Sequence, residues 1–197
     1  MKRLLVALIT MILLAACVSG DDYLNVLTFI RCWNSFETVR EREELRIDAD
    51  RLWHDTYGKN EEYAMFFGED QFLLRLLREE KNEFVLMSSL TGLYDDGKFS
   101  KEKKAEFYTL VRLMMRAMCG FDSAECADIL KRGCLDEPQA AHYYQYGFYA
   151  FISIEDDFGV TFRIENLRLV PREAPEMTLV LPTTQQPPEG TSVPVTP

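Results

Sequence analysis

The sequence predicts a mainly α-helical protein: a compact multi-helix domain with a C-terminal β-hairpin and a proline-rich tail. Three observations predict it. Apolar residues recur at the three-and-four spacing of amphipathic helices through much of the first two thirds of the chain. Capping residues and glycines punctuate those stretches where helices need to start and stop. Seven of the eight prolines crowd into Pro171–Pro197, so the ordered part closes near residue 170.

Taken in order, the stretch from Asp22 to about Tyr57 puts Val26, Ile30 and Trp33 on one stripe, with Phe29 and Phe36 beside it. Its charged middle, Arg40-Glu41-Arg42-Glu43-Glu44, reads as a solvated face of mixed ion pairs. Gly58 suits a C′ stop and Asn60 an N-cap for a second helix. There Tyr63, Phe66, Phe67, Leu73, Leu74 and Leu77 follow the helical rhythm, with Asp70 the exception and Gly68 a kink or break. Asn82 caps a third helix carrying Leu86, Leu90 and Leu93. After the Asp95-Asp96-Gly97 turn, Ser100 caps the cleanest stripe in the chain: Phe107, Leu110, Val111, Met114 and Met118, closed by Gly120. Asp122 and Glu125 have capping-box spacing. Their short helix ends on Lys131-Arg132, basic as a helix C-terminus favours, and on Gly133. Asp136 and Pro138 mark a further start.

Val160, Phe162 and Ile164 then alternate with Thr161, Arg163 and Glu165, the pattern of a half-buried strand. Two readings of what precedes it stand. One pairs it with the aromatic run Tyr144–Ile154 across a turn at Asp156–Gly159, and this is preferred. The other makes Pro138 to about Ile154 a buried helix. The final 27 residues, at about 3.1 Å each in extended form, reach up to roughly 80 Å.

The chain opens with Lys2 and Arg3, followed by an apolar run, Leu4–Leu14, broken only by Thr10. A helix crossing the roughly 30 Å bilayer core needs about 20 residues, so this run fits a secretory leader instead. It ends in Leu14-Ala15-Ala16-Cys17, which resembles the lipobox of bacterial lipoproteins: a leucine, two small residues and a cysteine. The resemblance implies cleavage before Cys17, a diacylglyceryl group on its sulfur and acylation of its new amino terminus. It covers about the first tenth of the chain and carries neither fold nor activity. Two or three acyl chains would hold the protein stably at a membrane. Val18, in the place where Asp retains enteric lipoproteins at the inner membrane, implies outer-membrane sorting with the domain facing the periplasm. The expected organisation is a leader over 1–16, an anchor and linker over 17–21, a globular domain over 22–170 and a tail over 171–197.

The leader takes two of the 22 basic residues and none of the 32 acidic ones, leaving a net charge of about −12. Such a surface repels nucleic acid and anionic headgroups, so polyanionic partners are excluded. With Cys17 acylated, Cys32, Cys119, Cys126 and Cys134 remain, an even number in an exported chain. If residues 122–132 are helical, Cys126 and Cys134 stand about 12 Å apart along the axis, whereas a disulfide needs Cα atoms within about 7 Å. Cys119 and Cys134 flank opposite ends of the same helix. The surviving pairing is Cys119–Cys126 with Cys32–Cys134, the second closing a loop of about 100 residues. The spacings of these cysteines are unlike the short ligand pairs of structural zinc sites, so no metal is expected.

Candidate chemistry is sparse. His54-Asp55 invites a base with its orienter, but adjacent helical residues point apart; His142 sits among aromatics. Aligning Gly97 to the sixth position of a calcium loop puts Gly92 first and Lys103 twelfth, where carboxylates are required, and the match fails. No cofactor motif is present. The densest aromatic cluster, Tyr143, Tyr144, Tyr146, Phe148, Tyr149 and Phe151, is a candidate ligand or partner face, with core packing as the competing reading. The expectation is a lipid-anchored envelope protein of structural or interaction type. It would engage another envelope component through the tail or the aromatic face. Behind it stand a ligand-binding lipoprotein that uses those aromatics, and an envelope hydrolase that uses His54 or His142.

Overall fold

Asn25 caps the first helix, α1 (Val26–Ser35), its side chain accepting from the Thr28 N–H at 2.8 Å. The computed structural model describes residues 24–69, 71–81, 83–95, 99–136 and 141–169. The leader, Cys17 and the proline-rich tail lie outside these residues, as do Asp70, Asn82, Asp96, Gly97 and Pro138. Val26, Phe29, Ile30 and Trp33 are buried on α1, as their spacing predicts. The long first helix does not continue, however. A short α2 (Glu37–Glu41) and two single 3₁₀ turns carry the chain to Leu52. Asn34 pins this segment by bonding the backbone of Ile47 on both sides, donating to its carbonyl at 2.8 Å and accepting from its N–H at 2.9 Å.

Four strands follow: β1 (Trp53–Tyr57), β2 (Asn60–Phe67), β3 (Phe72–Glu79) and β4 (Val85–Leu93). Then come α3 (Lys101–Cys119) and α4 (Ser123–Arg132). The chain ends in β5 (Ala141–Tyr146), β6 (Tyr149–Glu155) and β7 (Gly159–Asn166). All seven strands form one antiparallel sheet in the order β1-β2-β3-β4-β7-β6-β5. Two meanders, β1–β4 and β5–β7, therefore meet only along β4 and β7.

The mainly α expectation is overturned: this is a mainly β fold with helices laid on one face of the sheet. The stretch read as a second helix is the β2–β3 hairpin, and the third is β4. Its doublets explain the error. Leu73-Leu74 and Leu76-Leu77 place apolar side chains on both faces of β3, so the period of two is hidden and helical spacing arises by coincidence. The glycine signals were real but belong to hairpins: Gly58 and Gly68 turn at φ 65° and 60° between strands.

In α3, α4 and the last hairpin the sequence reading holds, whereas Asn60 opens a strand instead of capping a helix, and Asp136, read as a helix start, lies in a turn ahead of strand β5. Ser100 caps α3 by accepting from the Lys103 N–H, and Gly120 ends it in the left-handed region at φ 73°. The Asp122–Glu125 capping box opens α4. The C-terminal hairpin is β6–β7 with its turn at Asp156–Gly159, and the helix alternative falls. The run Tyr144–Ile154, expected as one strand, itself contains a second hairpin, β5–β6 around Gly147.

Directly opposed residues share a face. Leu74, Leu90 and Phe162 line up across β3, β4 and β7 and are at most 1% exposed. Phe107, Leu110, Val111 and Met114 of α3 bury against this row in one core, joined by Phe29 and Trp33 of α1. No helix among the described residues is long and apolar enough to cross a membrane.

Candidate functional site

The six aromatics of the C-terminal cluster do not converge. Tyr144, Tyr149 and Phe151 lie on the helix-covered face, where Phe121 meets Tyr149 at 6.0 Å and Phe151 at 6.3 Å between ring centres. Tyr146 packs edge-on to Phe121 at 5.7 Å while staying exposed. Tyr143 points to the opposite face, and Phe148 caps the β5–β6 turn beneath the Arg168 guanidinium at 3.3 Å. Strand alternation divides a sequence cluster between two faces and a turn.

The histidines fall on different strands. His142 opposes Ser153 across β5 and β6, where the Ser153 hydroxyl is buried with no hydrogen-bond partner among the described residues. His54 belongs to a polar cluster on β1–β3. Arg78 reaches Glu61 Oε2 at 2.6 Å through Nε, the Tyr63 hydroxyl donates to the same oxygen at 2.9 Å, and His54 Nε2 stands 3.7 Å away. The imidazole stacks on Tyr63 at 4.7 Å. The Arg78 guanidinium, and after it the Tyr63 hydroxyl, hold the Glu61 carboxyl below its usual range. A carboxylate so committed is a poor proton acceptor. His54 itself is close to half exposed and beyond hydrogen-bond distance of it.

The four cysteines carry free thiols in this structure. Cys32 is buried in α1, Cys119 at the end of α3 and Cys126 in α4, while Cys134 is exposed in the left-handed region at φ 51°. Burial pushes the Cys126 thiol up to about 12. Burial, and then the neighbouring Cys126, raise Cys119 well above the thiol range. Thiols held protonated in this way are poor nucleophiles. Among the described residues no group of three His, Cys, Asp or Glu side chains could hold a metal ion.

The feature that stands out lies on the face of the sheet opposite the helices, at the β1–β3 end. Trp53 opposes Ala64, and Phe66 opposes Leu73. With Glu62 and Arg75 they line a groove of about 390 Å³. Ala64 forms a buried floor, while Trp53 is 51% and Phe66 48% exposed. Glu62 and Arg75 meet at 3.3 Å along one side. The two large aromatics are held half in water around a small-residue floor. The sequence pattern alone puts Phe66 on a helix stripe and marks neither residue as a site. The alternation Trp53-x-Asp55-x-Tyr57 was the available signal, and it becomes legible only once the segment is known to be a strand.

No protein-family model, no curated protein and no solved structure matches this chain. By its own residues it is an antiparallel sheet with helices on one face and an aromatic groove on the other.

Proposed function

We propose that this chain is a lipid-anchored protein of the cell envelope, held at a membrane through acylated Cys17, whose role is to bind another envelope protein. The observation that carries the binding role is the groove on the sheet face, where Trp53 and Phe66 stand half exposed over Ala64 and Leu73. Its surroundings are suited to contact: the aromatics supply rigid apolar area, and the Glu62–Arg75 pair supplies polar complementarity at the edge. The C-terminal aromatic cluster, divided as it is, yields the binding role to this groove.

The anchor is supported by the leader and by Leu14-Ala15-Ala16-Cys17. Replacing Cys17 with Ser is expected to move the protein from the membrane fraction to a soluble or unprocessed form, read by fractionation and intact mass. Membrane retention at an ordinary processed mass removes the acylation. In the exported material, Cys119–Cys126 and Cys32–Cys134 are the expected cross-links, and peptide mapping without reductant reads them directly.

The binding role is tested by placing a photo-cross-linking amino acid at Phe66 in cells, with Asp128 on the exposed side of α4 as the comparison. A discrete adduct from position 66, lost on Trp53→Ala and absent from position 128, is expected. Equal adducts from both positions, or none from 66, dismiss the groove as a partner surface.

A further inference from the structure

We propose that two copies of this chain associate through strand β5, edge to edge and antiparallel, so that their sheets become one. β5 (Ala141–Tyr146) ends the strand order, with β6 on one side and no strand on the other. The two-residue turn Gly147-Phe148 is closed by Tyr146 and Tyr149, the hydrogen-bonded pair of such a hairpin. Alternation then aims the N–H and C=O groups of Tyr144 and His142 at β6, and those of Ala141, Tyr143 and Gln145 away from it. These last three residues are exposed, and among the described residues their backbones make no hydrogen bond outside the hairpin.

Edge strands are ordinarily blunted by charge, proline, a bulge or short length. β1, the opposite edge, carries such a device. Its two-residue turn Gly58-Lys59 leaves the Thr56 N–H facing outward, and the Asp55 carboxylate takes that N–H at 2.7 Å. β5 carries none. It pairs with β6 along its whole length without a shift of register, and no Asp, Glu, Lys, Arg or Pro occurs from Ala141 to Ile154. In a chain of net charge −10, acidic surfaces of two copies repel, whereas this edge sets no like charges against each other.

A second copy is the occupant because the edge complements itself. With a two-fold axis at Tyr143, that residue meets its own copy, and Ala141 meets Gln145 in both directions. Every outward N–H and C=O of one strand then finds its opposite on the other. Directly opposed residues share a face, so Tyr143 and its copy lie side by side on the open face, and the two Trp53–Phe66 grooves open on that same side. β1 stands six strand positions from β5, roughly 29 Å. The pairing therefore leaves both grooves clear.

A photo-cross-linking amino acid at Gln145, with Thr56 on the β1 edge as the comparison, reads the association in cells expressing the full chain. An adduct of twice the chain's mass from position 145, and none from 56, is expected. Tyr143→Lys and Tyr143→Glu each set like charges face to face across the two-fold, and each is expected to abolish that adduct. Tyr143 is 56% exposed, so both variants keep the fold, which a parent-like thermal melt verifies. Expressed together, Y143K and Y143E restore the adduct, because the two-fold sets their opposite charges against each other. No dimer-mass adduct from 145, equal adducts from both edges, or an adduct of another mass alone overturns the proposal, the last assigning β5 to a different protein. An adduct that survives both substitutions, or that the mixture fails to restore, overturns the two-fold at Tyr143 and the proposal with it. The cross-linking at Phe66 reads the groove and is scored separately.

Discussion

Trp33→Ala is expected to lower stability by about 3–5 kcal/mol, the range for removing a buried tryptophan. Its ring is fully buried, stacks on Phe67 at 5.6 Å and on Phe29 at 6.1 Å, and so joins α1 to β2. The indole Nε1 also donates to the Leu45 carbonyl at 2.7 Å, which fixes the irregular segment between α2 and β1. Trp33→Phe separates the two contributions. It keeps most of the stacking but leaves the Leu45 carbonyl without its donor, at a cost of about 1–3 kcal/mol. Chemical denaturation of the two variants beside the parent measures both. A Phe variant as damaged as the Ala variant would show that the hydrogen bond, not the packing, dominates; a parent-like Ala variant would refute the placement of Trp33 in the core. Because a domain of this kind is stable by only about 5–15 kcal/mol in total, the Ala variant is expected to melt well below the parent.

Gly159→Ala is expected to be the most damaging change outside the helix-packed core. An added Cβ would lie 2.1 Å from the Gly92 carbonyl oxygen and 3.1 Å from Leu93 Cα, both backbone atoms that no side-chain rotation can move aside. The cost is about 3 kcal/mol or more, at the upper end for overpacking. It falls at a sensitive place. Gly159 pairs with Leu93 at one end of the β4–β7 ladder, the seam that joins the two meanders. The Tyr94 N–H extends that seam to the Phe158 carbonyl at 2.9 Å. Hydrogen exchange should therefore quicken first at Tyr94, whose N–H crosses that seam, before Leu93, whose N–H is bonded to the Gln71 carbonyl on the other side. Gly147→Ala supplies the contrast: that glycine has nothing within 4 Å of an added Cβ, and only its φ of 59° opposes the change, about 1–2 kcal/mol. If Gly159→Ala proves no worse than Gly147→Ala, the close approach of β4 and β7 at this point is wrong.

How much of this was readable beforehand depends on whether a signal was local. The caps at Ser100 and Asp122, the stop at Gly120 and the stripe from Phe107 to Met118 each lie within one element, and each predicted α3 and α4 correctly. Residues 60–93 failed for the opposite reason. A strand buried on one face and half-buried on the other carries apolar residues at odd and even positions, and Leu73-Leu74-Arg75-Leu76-Leu77 then resembles a helix stripe. Turn glycines do not discriminate either, since left-handed backbone closes helices and hairpins alike. The candidate site was the least legible part. Trp53, Ala64, Phe66 and Leu73 come from three strands and become neighbours only through register.

The sequence by itself determined the acidic balance, the proline-rich end and the two capped helices α3 and α4, while it left the final hairpin in contest with a buried helix. Each of these is written in adjacent residues or in bulk composition. Tertiary structure alone decided that the middle of the chain is sheet, that the two meanders join through β4 and β7, and that Trp53 and Phe66 share one face. Strand pairing is a contest between distant segments for backbone hydrogen bonds and for a common buried face. Its outcome depends on partners that no window of neighbouring residues contains.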